Sequence, residues 1–279
     1  MSQITVNGRT KLYGIVGNPV DHSFSPLMHS VAFQKIGYNA VYLPFPIEEN
    51  RLGRLLEAFR LIGVLGFNVT IPFKEKIVPY LDRLSPAANT LQSVNTVVRV
   101  DDLWVGDSTD GSGFVRSLEE TNVEITDQSV LLIGAGGSAR AIAYALAEKK
   151  IKRLQIVNRT KEKAEAMKNM LGSSYPRIQV NISQEIRESF DILINCTSVG
   201  MKEGASPVSE EEMCRCRQII DIIYNPLQTT LLKKAGKKGL SWQNGLGMLL
   251  YQGVEAFEIW TGRHAPVDTM KNILFNSFD

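Results

Sequence analysis

The sequence predicts an α/β protein of more than one domain, and three observations carry that reading. Up to about residue 110, short apolar strands alternate with helical stripes, the order that builds a parallel α/β layer. Further on, the buried-type strand 129–133 runs straight into a glycine turn and a helix of good formers, 139–148. From about residue 244 the chain finishes in helical sequence. A length of 279 residues suits one large or two ordinary domains.

Composition narrows the function classes. Hydrophobic residues make up 44% and charged residues 22%, the balance of a globular protein with a real core. A net charge of +2 gives no footing for nucleic acid or an anionic membrane as partner. No apolar run approaches the roughly 20 residues of a membrane span, and Met1-Ser2-Gln3 opens no signal peptide. Three cysteines, Cys196, Cys214 and Cys216, are an odd count that fits a reducing cytoplasm better than a disulfide framework. With His22, His29 and His264 they form no zinc-like spacing, so no metal is expected.

The first strand is Leu12–Gly17, closed by the turn signal Asn18-Pro19-Val20. Ser25-Pro26 then reads as N-cap and first residue of a helix ending at Gly37. Ser23 lies two residues before Ser25, so in extended chain both hydroxyls face one way and offer a carboxylate seat beside a helix N-terminus. Cap and ligand seat are both consistent with Ser25. Ala40–Ile47 is the second strand, and Leu52, Leu55, Leu56 and Phe59 mark the next helix.

The third strand, Gly66–Ile71, alternates Val69 and Ile71 with Asn68 and Thr70 and stops at Pro72. A helix from Phe73 to Leu81 is expected next, with Lys74 in its first turn. A cation is disfavoured there by the macrodipole, so Lys74 is either solvated or wanted by a site. A short helix at Pro86–Leu91 and the strand Val94–Val100, with Asn95 near its start, come next. Asp101-Asp102 turns the chain back as a hairpin through Leu103–Gly106. Asp110 precedes a helix and reads as its N-cap or as a carboxylate partner for Lys74.

In the middle segment the turn is Gly134-Ala135-Gly136-Gly137-Ser138-Ala139. Between a strand and a helix this is a dinucleotide fingerprint: glycines permit the tight turn and the approach of a pyrophosphate to the helix N-terminus. The strand Arg153–Val157 ends at Asn158-Arg159-Thr160, with Lys161 and Lys163 beyond. An NAD site would put an acid here; Arg159 instead suits a 2′-phosphate and favours NADP, or else is the exposed start of a helix. Strands at Asp191–Asn195 and Gln218–Ile223 follow, the second ending at Tyr224. Cys196 reads as a small buried hydrophobe and Lys233, Lys234, Lys237 and Lys238 as a solvated helix end. In the last segment Leu246, Leu249, Leu250, Gly253 and Trp260 form a core stripe, with Met248 and Gln252 one turn apart on another face.

Taken in order, these motifs resemble the shikimate dehydrogenase family along the whole chain. The resemblance rests on Ser23-x-Ser25-Pro26, Asn68 to Lys74, Val94-Asn95-Thr96, Thr109-Asp110-Gly111, the glycine turn, Asn158-Arg159-Thr160, Asn195 to Met201, Asp221-x-x-Tyr224-x-Pro226 and Gly247-Met248-Leu249 with Gln252. Ser108 and Gln92-Ser93 depart from the family's usual residues. The resemblance implies a substrate-binding α/β domain of residues 1–111 and 244–279, a Rossmann-type doubly wound NADP-binding domain of 112–243, and a cleft between them. It implies Ser23 and Ser25 on the substrate carboxylate, Tyr224 near it, and Thr70, Asn95, Asp110 and Gln252 on ring hydroxyls. Lys74 and Asp110 are then the catalytic pair. The glycine turn, Asn158, Arg159, Thr160, Lys163, Thr197, Gly245 and Met248 take the cofactor.

The implied reaction is NADPH-dependent reduction of 3-dehydroshikimate to shikimate, on the pathway to aromatic amino acids, by a cytoplasmic monomer or homodimer. Two rivals stand beside it. One is a quinate/shikimate dehydrogenase using NAD or NADP, against which Arg159 argues. The other is a non-catalytic NADP-binding regulator, against which the presence of both Lys74 and Asp110 argues.

Overall fold

A computed structural model describes residues 6–278. Among these the chain runs β1 (Lys11–Gly17), α1 (Ser25–Lys35), β2 (Ala40–Pro46), α2 (Leu52–Leu61), β3 (Val64–Val69), β4 (Arg83–Leu84), α3 (Pro86–Leu91), β5 (Thr96–Val100) and β6 (Leu103–Asp107). It continues α4 (Asp110–Glu120), β7 (Ser129–Ile133), α5 (Gly137–Glu148), β8 (Arg153–Val157), α6 (Lys161–Ser174), β9 (Gln179–Ile182) and β10 (Phe190–Asn195). Then come α7 (Glu210–Met213), β11 (Cys216–Asp221), α8 (Thr230–Lys237), β12 (Ser241–Gln243), α9 (Leu246–Thr261) and α10 (Val267–Phe275). The chain divides into two compact units, Met1–Thr109 with Gln252–Asp279, and Asp110–Tyr251, so the second boundary falls inside α9.

The first unit is a six-stranded sheet in the order β2-β1-β3-β5-β6-β4. β2, β1 and β3 are parallel, but β5 runs antiparallel to both β3 and β6. The layer is therefore mixed rather than parallel, because the Asp101-Asp102 hairpin, with both residues at positive φ, reverses the chain after β5. One face carries Leu52, Leu56 and Phe59 of α2 against Val16, Phe67, Val69 and Trp104. The other is aromatic: Tyr13, His29, Phe33, Tyr42, Phe257 and Trp260 stack on one another.

Two expected helices begin differently. α1 starts at Ser25, whose side chain does not cap it; Phe24 holds the cap position without a side-chain bond. The stretch expected to be a helix from Phe73 is instead a series of turns with one 3₁₀ turn at Val78–Tyr80. Pro79 lacks an N–H and its ring would meet the carbonyl four residues back, so an α-helix cannot pass it. Buried Phe73 and Ile77 anchor the turns to the core. β3 also spans 64–69 rather than 66–71, ending before Thr70.

His29 sits on the aromatic face, and both ring nitrogens are buried without a partner. Burial pulls its pKa from 6.5 down to about 3. Between those values the unfolded chain binds a proton that the folded chain does not, so stability falls as pH drops from 6.5 towards 3. Going from pH 7 to pH 5 should cost about 2 kcal/mol through this group. Denaturant unfolding of His29→Phe at both pH values should show that loss removed; an unchanged loss would clear His29 of the effect.

The second unit is all parallel, in the order β12-β11-β10-β7-β8-β9. Read from β9 this is the doubly wound order 3-2-1-4-5-6 of dinucleotide-binding folds. Both faces are covered: Val130 and Leu132 meet Ile142 and Leu146 of α5, while Leu131 and Ile133 meet Leu231 and Leu232 of α8. That double burial explains why β7 and β10 read as continuous apolar runs rather than alternating ones.

Candidate active site

In the first unit the polar candidates gather at the tips of β1, β3 and β5. Thr70 follows β3, its N–H bonded to the Val16 carbonyl at 2.9 Å. A Cβ on Gly17 would overlap the Thr70 methyl, so that glycine makes room for it. Lys74 is half-buried, and its carbonyl accepts from Val94 N–H at 2.8 Å, which ties the turn to the start of β5.

Asn95 is buried and held on three sides. Its Oδ1 accepts from Thr109 N–H at 2.7 Å, and its Nδ2 donates to Thr109 Oγ1 at 3.0 Å and to Gln252 Oε1 at 3.4 Å. Thr109 Oγ1 donates in turn to the Gln252 carbonyl at 3.1 Å. Asn95 and Gln252, far apart in sequence, are thus brought together, and Thr109 links them. Sequence reasoning gave Thr109 no role; its only signal was its place before Asp110. Gln252 is buried rather than on a solvated polar face.

Ser23 and Ser25 meet at the start of α1, where Ser23 Oγ accepts from Ser25 N–H at 3.3 Å. Ser25 is buried, and no side-chain bond caps the helix there.

In the second unit, Asp110 lies in the first turn of α4 rather than at its cap and is buried. Gly111 beside it lets α4 approach α5, since a Cβ there would overlap the Ala141 carbonyl. After β7, Gly134 takes φ +111°, which strains any other residue, and Cys196 and Thr197 lie against it. Gly136 precedes α5 with open space where a Cβ would stand. Ala135 and Ala139 are buried and close the turn onto the sheet. After β8, Asn158 Nδ2 donates to the Thr160 carbonyl at 2.7 Å, shaping a loop on which Arg159 and Thr160 are exposed, as is Lys163 in the first turn of α6.

The third strand end, after β10, is held by a buried network. Asn195 Nδ2 donates to Asp221 Oδ1 at 3.0 Å, and Thr229 Oγ1 donates to Asp221 Oδ2 at 2.7 Å. Asn195 Oδ1 accepts from Thr197 Oγ1 at 2.8 Å. Burial raises the Asp221 pKa against the pull of these hydrogen bonds. Asn195 and Asp221 thereby position Thr197 and the approach to Tyr224. Their buried, strand-end location is the role that spacing did not reveal. Gly245 is obligatory: a Cβ would fall on the Ile222 carbonyl oxygen. Met248, three residues on, packs into the core of this unit. Cys196 packs against the same core, and burial raises its pKa, as a small hydrophobe rather than a nucleophile requires. Among the described residues no group of three or more His, Cys, Asp or Glu could hold a metal ion.

A doubly wound parallel sheet with a strained glycine turn and open backbone before α5, together with a separate α/β unit whose strand tips carry buried polar side chains, is the architecture of a dinucleotide-dependent oxidoreductase. Family models give the particular family. The shikimate dehydrogenase substrate binding domain matches residues 15–97, the shikimate / quinate 5-dehydrogenase domain 117–222, and the shikimate 5′-dehydrogenase C-terminal domain 245–275. The chain is 40% identical to "Shikimate dehydrogenase (NADP(+))" of Desulforamulus reducens, over 98% of each chain. A crystal structure of a shikimate dehydrogenase in complex with NADP+ superposes with a TM-score of 0.92 at 38% identity, covering 99% of this chain and 98% of that one. The Listeria monocytogenes shikimate 5-dehydrogenase in complex with shikimate and NAD gives 0.90 at 38% identity, covering 99% of both. The chain belongs to the shikimate dehydrogenase family.

Proposed function

We propose that this protein catalyses the reversible reduction of 3-dehydroshikimate to shikimate with NADPH, in aromatic amino acid biosynthesis. The observation that carries the reading is the buried Asn95–Thr109–Gln252 cluster at strand tips, a donor and acceptor set for a hydroxylated ring. Ser23 and Ser25 receive the ring carboxylate, with Tyr224 near it. Thr70, Asn95, Asp110 and Gln252 bond ring hydroxyls. Residues 1–111 and 244–279 serve the substrate, and 112–243 serve the cofactor.

NADP fits the second unit: the open backbone at Gly136 admits a pyrophosphate, and exposed Arg159, Thr160 and Lys163 suit a 2′-phosphate. Gly134, Ala135, Gly137, Ser138, Ala139, Asn158 and Thr197 complete its seat, with Gly245 and Met248 towards the nicotinamide. The bound cofactor supplies the hydride. Lys74 stabilises the negative charge developing on the ketone oxygen and passes it a proton, while Asp110 orients Lys74 and a neighbouring hydroxyl.

The test is an absorbance assay at the nicotinamide band with shikimate and quinate, each with NADP and NAD. Shikimate with NADP should be the preferred pair; preference for quinate or NAD would transfer the chain to the quinate/shikimate reading. Arg159→Asp should cut the NADP-to-NAD ratio of kcat/KM by about tenfold or more, since one charge-assisted contact is lost. An unchanged ratio would place the 2′-phosphate elsewhere. Among the described residues no helix is long and apolar enough to cross a membrane. A cytoplasmic monomer or homodimer is the working state, which light scattering can decide.

A further inference from the structure

Asp221 is the last residue of β11, in register with Asn195, Ile133 and Val157 at the ends of β10, β7 and β8. It is 0% exposed, and among the described residues no cation forms an ion pair with it. Hydrogen-bond donors meet it instead. Asn195 Nδ2 and the Ile223 N–H donate to Oδ1 at 3.0 and 3.1 Å, and Thr229 Oγ1 donates to Oδ2 at 2.7 Å. The direction of these bonds is fixed by their neighbours. Asn195 Oδ1 accepts from the Thr197 N–H at 3.1 Å, so Nδ2 must face Asp221. The Thr229 oxygen accepts from the Leu232 N–H at 3.4 Å, which leaves its own proton for the carboxylate. A carboxyl proton would find no acceptor beside Oδ1, where both partners donate, and on Oδ2 it would have to turn the Thr229 hydroxyl round. The arrangement suits the ionised form.

This row of strand ends borders the proposed cofactor seat. A doubly wound sheet holds the two halves of a dinucleotide on either side of the crevice where strand order reverses, here between β7 and β10. Arg159, after β8, assigns the 2′-phosphate half to β7, β8 and β9. The nicotinamide half is then left to the ends of β10 and β11. The chain after Asp221 leads straight to Gly245: the Ile223 carbonyl accepts from the Gly245 N–H at 3.1 Å, and a Cβ on Gly245 would fall on the Ile222 carbonyl.

We infer that Asp221 is a buried anion that biases the bound cofactor towards its oxidised form. The nicotinamide ring is neutral when reduced and carries a positive charge once its hydride has passed to the ketone carbon. A fixed negative charge at a buried sheet end attracts the second state and leaves the first alone. Asp221 thus favours departure of the hydride, while Lys74 serves the oxygen of the carbon that receives it. A mere brace would not need the charge. Asparagine at this position could accept from Asn195 and Ile223 and donate to a turned Thr229 hydroxyl. The inference rests on the proposed NADP seat.

The test is equilibrium binding of NADPH and NADP+ to the full chain as parent, Asp221→Asn and Thr229→Val, read by the fluorescence of NADPH and its displacement by NADP+. Asp221→Asn should weaken NADP+ about five- to tenfold and NADPH by less than about twofold, so the ratio of the two Kd values rises. Thr229→Val keeps the charge and loses one bond of the brace, so its ratio should stay within about twofold of the parent. A partly unfolded population lowers the number of binding sites and leaves both constants of the folded fraction alone. If Asp221→Asn weakens both forms equally, or neither, the inference is overturned and the NADP seat stands. If Thr229→Val moves the ratio as far as Asp221→Asn does, the shape of the strand end and not its charge sets the bias, and the inference is again overturned. A parent that binds neither NADPH nor NADP+ overturns the NADP seat itself, and the inference falls with it.

Discussion

Lys74→Ala should lower kcat by about a thousandfold, the scale of losing a proton donor and its charge together, while the shikimate KM changes less than about fivefold. The asymmetry follows from the proposed role: the ammonium interacts most strongly with an oxygen whose charge exists only in the transition state. Folding should be spared, because the turn is held by the Lys74 carbonyl on Val94 and by buried Phe73 and Ile77, none of which the substitution removes. Unchanged kcat, with a circular dichroism spectrum matching the parent, would remove Lys74 from the mechanism.

Asp110→Asn should lower kcat by about a hundredfold and also raise the shikimate KM. The side chain keeps its shape but loses the charge proposed to orient Lys74, and it turns one acceptor for a ring hydroxyl into a donor. Asp110 is buried in the first turn of α4, where a carboxylate also gains about 0.3–1 kcal/mol from the helix dipole. A slightly lower thermal midpoint should therefore accompany the kinetic loss. A variant with parental kcat/KM would show that the Lys74–Asp110 pairing is not used.

Local features were legible in the sequence. The strand, glycine turn and helix at 129–148 lie within one short stretch, and the structure realises them there with Gly134 at positive φ. The Arg159 loop was legible for the same reason, as were β1, β8 and α2. Features whose partners are distant were not. Ser25 reads as a cap because serine before proline at a helix start usually is one; in the structure Ser25 is the first helical residue and Phe24 holds the cap position. The antiparallel entry of β5 has no signature in its apolar pattern, since alternation marks a strand but not its direction. The helix expected after Phe73 is cut short by Pro79, whose missing N–H and bulky ring break an α-helix just as Pro72 ends the strand before it.

By itself the sequence determined the α/β class, the dinucleotide turn, the basic loop after β8 and the family, because each rests on residues close together in the chain or on motifs in a fixed order. Only the tertiary structure decided that Asn95 and Gln252 share a buried cluster through Thr109, that Asn195 and Asp221 brace the strand end beside Thr197, and that the buried Tyr42 phenol bonds Asn68. Buried polar groups must find partners wherever the sheet brings them together, and sheet order is not written in local spacing.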